Sequence, residues 1–260
     1  MKSTIRKTLS VFIIALMTFS MFGTTLAATP MVSKSQADML KVKETDKIMF
    51  SAEIITDGQT LLQRAKNNVM DVDFAPRIAV QGAEKAQIIG YTNQKVMERV
   101  TEDGITITSI AATVVYAGSG SFFSPGNASG LLYYSITGVY NMYTSSSWSG
   151  IKYMLVSASA SYTSNNSGGE TGIINWELAV AVPTGGYSLS NGAYNANAHS
   201  YNNTAYKSGY NPYPGDTLSM STSNMQSWIS GYGNYCYSTI RTSLLIETIR
   251  GNRYSLYFDL

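Results

Sequence analysis

The chemistry open to this 260-residue chain is bounded by its one histidine, His199, and its one cysteine, Cys236. One of each cannot assemble a His/Cys zinc site, an iron–sulfur cluster or an intrachain disulfide. A nucleophilic triad would have to use His199. It lies in the polar run Ala193-Tyr194-Asn195-Ala196-Asn197-Ala198-His199-Ser200, and no Gly-x-Ser-x-Gly elbow occurs. His199 therefore reads as a surface histidine. Cys236, between Tyr235 and Tyr237, reads as a small buried strand residue.

Carboxylates offer a second route, because glycoside hydrolysis needs only a pair of them. Beyond residue 104 the candidates are Glu170, Glu177, Asp216, Glu247 and Asp259. Glu177 follows Trp176, but strand alternation puts Trp176, Leu178, Val180 and Val182 on one face and Asn175, Glu177 and Ala179 on the other. Glu247 sits in an apolar run, where burial would raise its pKa. No Asp-x-Asp-x-Asp-Gly loop is present, and Asp71, Asp73 and Asp216 are isolated. No catalytic residue, metal ligand or cofactor is assigned.

Recognition fits the composition better. Residues 187–213 carry Tyr187, Tyr194, Tyr201, Tyr206, Tyr210 and Tyr213, interleaved with Asn191, Asn195, Asn197, Asn202, Asn203 and Asn211, with Lys207 as the only charge. Tyrosine gives a large, stiff contact face, and Ser, Gly and Asn give adaptable hydrogen bonding. These six tyrosines, with Trp148 and Trp228 as outlying members, are the candidate ligand-binding residues, and a glycan or a protein outside the cell is the expected ligand.

The elements that would position them divide unevenly. Lys2, Arg6 and Lys7 precede the uncharged run Thr8–Phe22, and Thr25 and Ala27 fit the −3 and −1 positions of a signal-peptide cleavage site. Residues 1–27 thus read as a signal peptide cut after Ala27, and secretion is the expected localisation. The remaining chain carries 15 basic and 16 acidic side chains, which gives no electrostatic case for nucleic acid. Residues 28–79 form a charged, partly helical lead, with a mobile leader or pro-segment as the alternative. Asp57 or Thr56 can cap a helix bearing Leu61, Leu62, Ala65 and Val69, and Ser35–Lys47 suggests a shorter one.

From about residue 80 the period becomes two. Asp103-Gly104 marks a tight turn between strands. Beyond it only ten of 156 residues are charged, while Tyr, Ser, Gly and Asn supply 76. Strand-like runs recur at 131–143, 151–162, 173–182, 235–249 and 254–258, separated by Gly/Asn/Ser turns. The expected fold is all-β, an antiparallel β-sandwich or jelly-roll-like domain over residues 80–260, with a short helical or mobile N-terminal lead.

Three functions remain open: a secreted non-catalytic binding or surface-interaction protein, a secreted glycoside hydrolase, and a β-hairpin pore former. The last rests on residues 151–182. There Met154, Val156, Ala158, Ala160 and Tyr162 alternate with Ser157, Ser159 and Ser161, and a second arm holds Ile174, Trp176, Leu178, Val180 and Val182. A sandwich strand uses the same pattern, so membrane insertion is not the expectation. The layout resembles small secreted all-β proteins in style, and no family motif transfers a residue role.

Overall fold

The computed structural model describes residues 32–74, 76–81, 86–118, 132–164, 173–181, 186–187, 194–195, 204–210, 212, 215–222, 230–231, 241–248 and 253–259. Two short helices open this region, α1 (Lys34–Leu40) and α2 (Gly58–Lys66), separated by strand β1 (Lys47–Ser51). Both start on a side-chain cap: Ser33 accepts from the Gln36 amide, and Asp57 Oδ2 accepts from the Thr60 amide at 2.7 Å and from the Thr60 hydroxyl at 2.6 Å. The suggested helix over 35–47 stops at Leu40, because Lys41 turns left-handed at φ 54° and β1 takes over at Lys47. Similarly, α2 ends before Val69, whose carbonyl instead accepts from the Thr92 hydroxyl at 2.6 Å.

The rest is antiparallel sheet. β3 (Ala86–Val100), β4 (Thr106–Gly118), β5 (Leu132–Thr144) and β6 (Lys152–Ser164) form a meander, with β1 beyond β3 and β11 (Thr217–Ser221) beyond β6. β12 (Ser230–Gly231) also pairs with β6, at its other end. The β3–β4 turn falls at the Asp103-Gly104 signal, where Gly104 adopts φ +73°. A second sheet has the order β10 (Thr204–Tyr210), β7 (Ile173–Ala181), β13 (Arg241–Thr248), β14 (Arg253–Asp259) and β2 (Arg77–Gln81). β8 (Gly186–Tyr187) and β9 (Tyr194–Asn195) make a separate two-stranded ribbon.

One face of each large sheet builds the main core. The first sheet supplies Ile110, Val114, Tyr116, Ile136, Tyr140 and Tyr162, and the second supplies Trp176, Leu178, Val180, Leu244, Ile246 and Leu256, all buried. The fold is all-β and sandwich-like, as the alternation of the strands predicts. Val32–Leu260 is one compact unit, and the boundary expected between residues 79 and 80 falls inside β2, which pairs with β14.

Two sequence expectations fail here for a physical reason. The arms 151–162 and 173–182 are not a hairpin. β6 pairs with β5, β11 and β12, whereas β7 lies in the other sheet between β10 and β13. The expected alternation within β6 also breaks. A bulge at Val156 sets Tyr140 opposite Leu155 but Val139 opposite Ser157. One extra residue reverses which side chains face inward. Leu155, not Met154 or Val156, joins the main core, and Met154 and Val156 pack on the opposite face. Thr222 fastens the bulge, its hydroxyl donating to the Leu155 and Val156 carbonyls at 2.6 and 2.9 Å.

The lead lies on that opposite face. Leu40 packs with Val96, Met97, Ile107, Val139, Met154 and Val156. Farther along, Leu62 and Ala65 of α2 pack on Val115 and Tyr133. Just before β1, Asp46 Oδ2 meets the Arg99 guanidinium of β3 at 3.0 Å, with both side chains 2% exposed, and the guanidinium also donates to the Leu40 carbonyl at 2.9 Å. Desolvation pulls the Arg99 pKa down, and Asp46 pushes back. At the other end Arg64 binds Asp71 at 2.9 Å and the Asn93 carbonyl at 2.8 Å, and Asn93 donates to the Val72 carbonyl at 2.8 Å. Gln94 spans the segment between, accepting from the Ile55 amide and donating to the Glu53 carbonyl.

Candidate ligand-binding surfaces

Of the eight aromatic residues singled out, Tyr206 and Tyr210 come forward. Both lie on β10, an edge strand of the second sheet, at 73% and 79% exposure, the two most exposed large hydrophobic side chains among the described residues. Alternation explains this. Ala205 and Gly209 turn toward the core side, so Tyr206, Ser208 and Tyr210 turn outward. Gly209 is needed there, because a Cβ at this position would lie 2.5 Å from Trp176 Nε1 and 3.2 Å from Leu218 Cδ2. β10 is thus pressed against the core with its tyrosine side facing solvent.

Register sets the neighbours. Tyr206 lies opposite Ala179, Ser208 opposite Glu177 and Tyr210 opposite Asn175. The Ser208 hydroxyl donates to Glu177 Oε2 at 3.2 Å, so a hydroxyl–carboxylate pair lies between two rings separated by about 13–14 Å of strand. Lys207 points the other way and donates to the Ser219 carbonyl of β11 at 3.1 Å, tying the edges of the two sheets together.

Tyr187 and Tyr194 are register partners in the β8–β9 ribbon. Trp148, in the β5–β6 turn, is half-buried against the Leu40 cluster, with the Lys152 ammonium 5.4 Å from its ring centroid. Tyr201, Tyr213 and Trp228 lie outside the described residues, as do His199 and Cys236. Among the carboxylates, Glu177 is on the outward face that alternation predicts. Glu247 is in register with Arg253 on β14 and Asn175 on β7. No three His, Cys, Asp or Glu side chains converge among the described residues.

A second surface went unseen in the sequence. On the lead-covered face of the first sheet, a groove of about 480 Å³ opens between the lead (Met39, Ile54, Ile55, Thr56 and Leu61) and strands β5, β6 and β11. Register aligns hydroxyls across its floor: Thr217 opposite Ser161, Ser219 opposite Ser159, and Ser221 opposite Ser157. The next row continues inward, with Thr137 opposite Ser159 and Thr113 opposite Thr137, these two threonines hydrogen-bonded at 2.8 Å. The alternation Ser157-x-Ser159-x-Ser161 was legible. Its partner Thr217-x-Ser219-x-Ser221 was the missing signal, since only the pair makes an array.

No protein-family model, curated protein or solved structure matches the chain. Among the described residues, no helix is long and apolar enough to cross a membrane.

Proposed function

We propose that the protein is a secreted, non-catalytic recognition module that binds neutral glycans through the outer face of its five-stranded sheet. The observation that carries this reading is the Tyr206/Tyr210 pair, two rings presented to solvent on one side of one strand. An exposed ring can lie on the C–H face of a pyranose, while its hydroxyl and the rim groups hydrogen-bond the sugar's edge. Glu177, with Ser208 on one oxygen, retains lone pairs for ligand hydroxyls. The leader at residues 1–27 supports placement outside the cell.

The test mixes protein spanning residues 28–260 with insoluble peptidoglycan, chitin and cellulose, reading both depletion from the supernatant and released reducing sugar. Depletion without sugar release is expected on at least one of the three. Anchoring aromatics commonly contribute upward of about 1 kcal/mol each, so Tyr206→Ala with Tyr210→Ala should weaken binding about 30-fold. Unchanged depletion by the double variant overturns the platform, and sugar release replaces it with the hydrolase reading.

A further inference from the structure

The groove between the lead and the first sheet is held open by the fold. The lead is clamped at one end by Arg99 on Asp46 and the Leu40 carbonyl, and at the other by Leu62 and Ala65 on Val115 and Tyr133. Gln94 fixes the stretch between through the Ile55 amide, at 2.9 Å, and the Glu53 carbonyl, at 2.7 Å. Met39 reaches the floor, its thioether accepting from the Ser157 hydroxyl at 3.5 Å, and beyond it the space beneath the lead is open. At about 480 Å³ it falls within the ordinary range of small-molecule sites.

The sheet changes character where the groove lies. Under the clamps its outer face carries Val139, Met154 and Val156 at one end and Val115 and Tyr133 at the other. Between them the same strands carry Ser157, Ser159, Ser161 and Thr137. Strand-to-strand spacing of about 4.8 Å and about 6.8 Å between alternate residues makes this a grid of hydroxyls. Thr217 and Ser161 share a hydrogen bond at 3.1 Å. Among the described residues, the Ser159 and Ser219 hydroxyls take none, and they face each other across β6 and β11 at the centre of the floor. The opposite wall is mostly apolar, with Met39, Ile54, Ile55 and Leu61 beside the single hydroxyl of Thr56. Among the described residues, no charged side chain lines the space.

We infer that this groove is a second binding site, separate from the tyrosine platform, and that it takes a short neutral oligosaccharide. Each hydroxyl of the floor can donate and accept, as each sugar hydroxyl can. The apolar wall matches the C–H face of the ring, and the absence of charge matches a ligand without any. An extended peptide is the poorer match, because strand addition needs an open edge: β5 and β6 are paired on both sides, and on the outer edge of β11 the Ser219 carbonyl is taken by Lys207.

The test titrates the full chain from residue 28 with soluble cellohexaose, chitohexaose and maltohexaose by calorimetry, following Ser159 and Ser219 amides by NMR. At least one sugar should bind and shift those amides, and Ser219→Val with Ser159→Val should weaken it at least tenfold. Ser219→Val alone, at an exposed strand position that favours β-branched residues, tests the site even if the double variant folds poorly. Tyr206→Ala with Tyr210→Ala should leave this binding intact, so failure of the groove and failure of the platform read out separately. Binding unaffected by Ser219→Val, binding lost only with the tyrosines, or no binding by any of the three sugars would each overturn the inference.

Discussion

Replacing Arg99 by methionine should loosen the lead from the sheet. Methionine keeps most of the apolar stem among Leu40, Met97 and Tyr143, so the change isolates the charge. It leaves the Asp46 carboxylate, 2% exposed, with the Lys43 amide at 3.0 Å as its remaining partner among the described residues, and it removes the guanidinium from the Leu40 carbonyl. Removing one partner of a buried ion pair costs about 3–5 kcal/mol, a large part of the roughly 5–15 kcal/mol that holds a domain folded. With a urea slope near 3 kcal/mol per molar, the unfolding midpoint should fall by about 1–2 M. Amides of α1 and β1 should lose exchange protection before those of β4 and β13. Asp46→Asn on top of Arg99→Met removes the stranded charge while keeping an acceptor for Lys43, so it should recover a good part of the loss. The reasoning is refuted if Arg99→Met costs under about 1 kcal/mol, or if the two substitutions add without coupling.

Two further substitutions probe other parts of the fold. A Cβ on Gly90 would lie 2.2 Å from the Ala65 carbonyl oxygen and 2.7 Å from its carbon, both backbone. Gly90→Ala should therefore lift α2 and cost about 2–3 kcal/mol, lowering Tm by about 5–10 °C; an unchanged melting curve would mean that helix and strand do not touch. Burial pushes the Tyr162 hydroxyl up to about 12, and burial raises Tyr91 and Tyr143 as well. Unfolded tyrosine ionises near 10, so the folded state holds its protons longer. This contribution is complete below pH 10 and is lost as pH climbs from 10 to 12, about 3 kcal/mol from Tyr162 alone. Urea midpoints at pH 9, 10 and 11 should fall steadily above 10, and Tyr162→Phe should flatten the fall at little cost, since that hydroxyl has no partner among the described residues. A midpoint constant across this range would contradict the burial argument.

What the sequence disclosed was local. Asp57 three residues before Thr60, Asp103-Gly104 between alternating runs, and Trp176-x-Leu178-x-Val180 each state a backbone geometry or a face within a few residues. Alternation names the face of a strand, never its partner, so β6 and β7 looked like one hairpin although they belong to different sheets. A bulge adds one residue without any mark in composition, and Val156 silently exchanges the faces of Met154 and Leu155. Nothing local to Arg99 in β3 marks it as buried, because its partner Asp46 lies more than fifty residues away. For the sites, the tyrosines were visible as a cluster, and among the described residues Tyr206 and Tyr210 share the outward face of one strand. The hydroxyl grid depends on register between β6 and β11, which no single stretch of sequence reports.

The pairing of β2 with β14 bears on how the chain reaches this structure. Ile78 is in register with Phe258 and Val80 with Leu256, so the strand that leaves the lead waits for a partner lying beyond every other strand of the domain. The five-stranded sheet cannot be completed while residues 253–259 are missing, however much of the meander has formed. Long-range pairings of this kind slow folding, because chain ends must meet before any contact rewards the loss of freedom. The five-stranded sheet is therefore the last part of the fold to close, and the core face it shares with the meander stays open to water until β14 arrives.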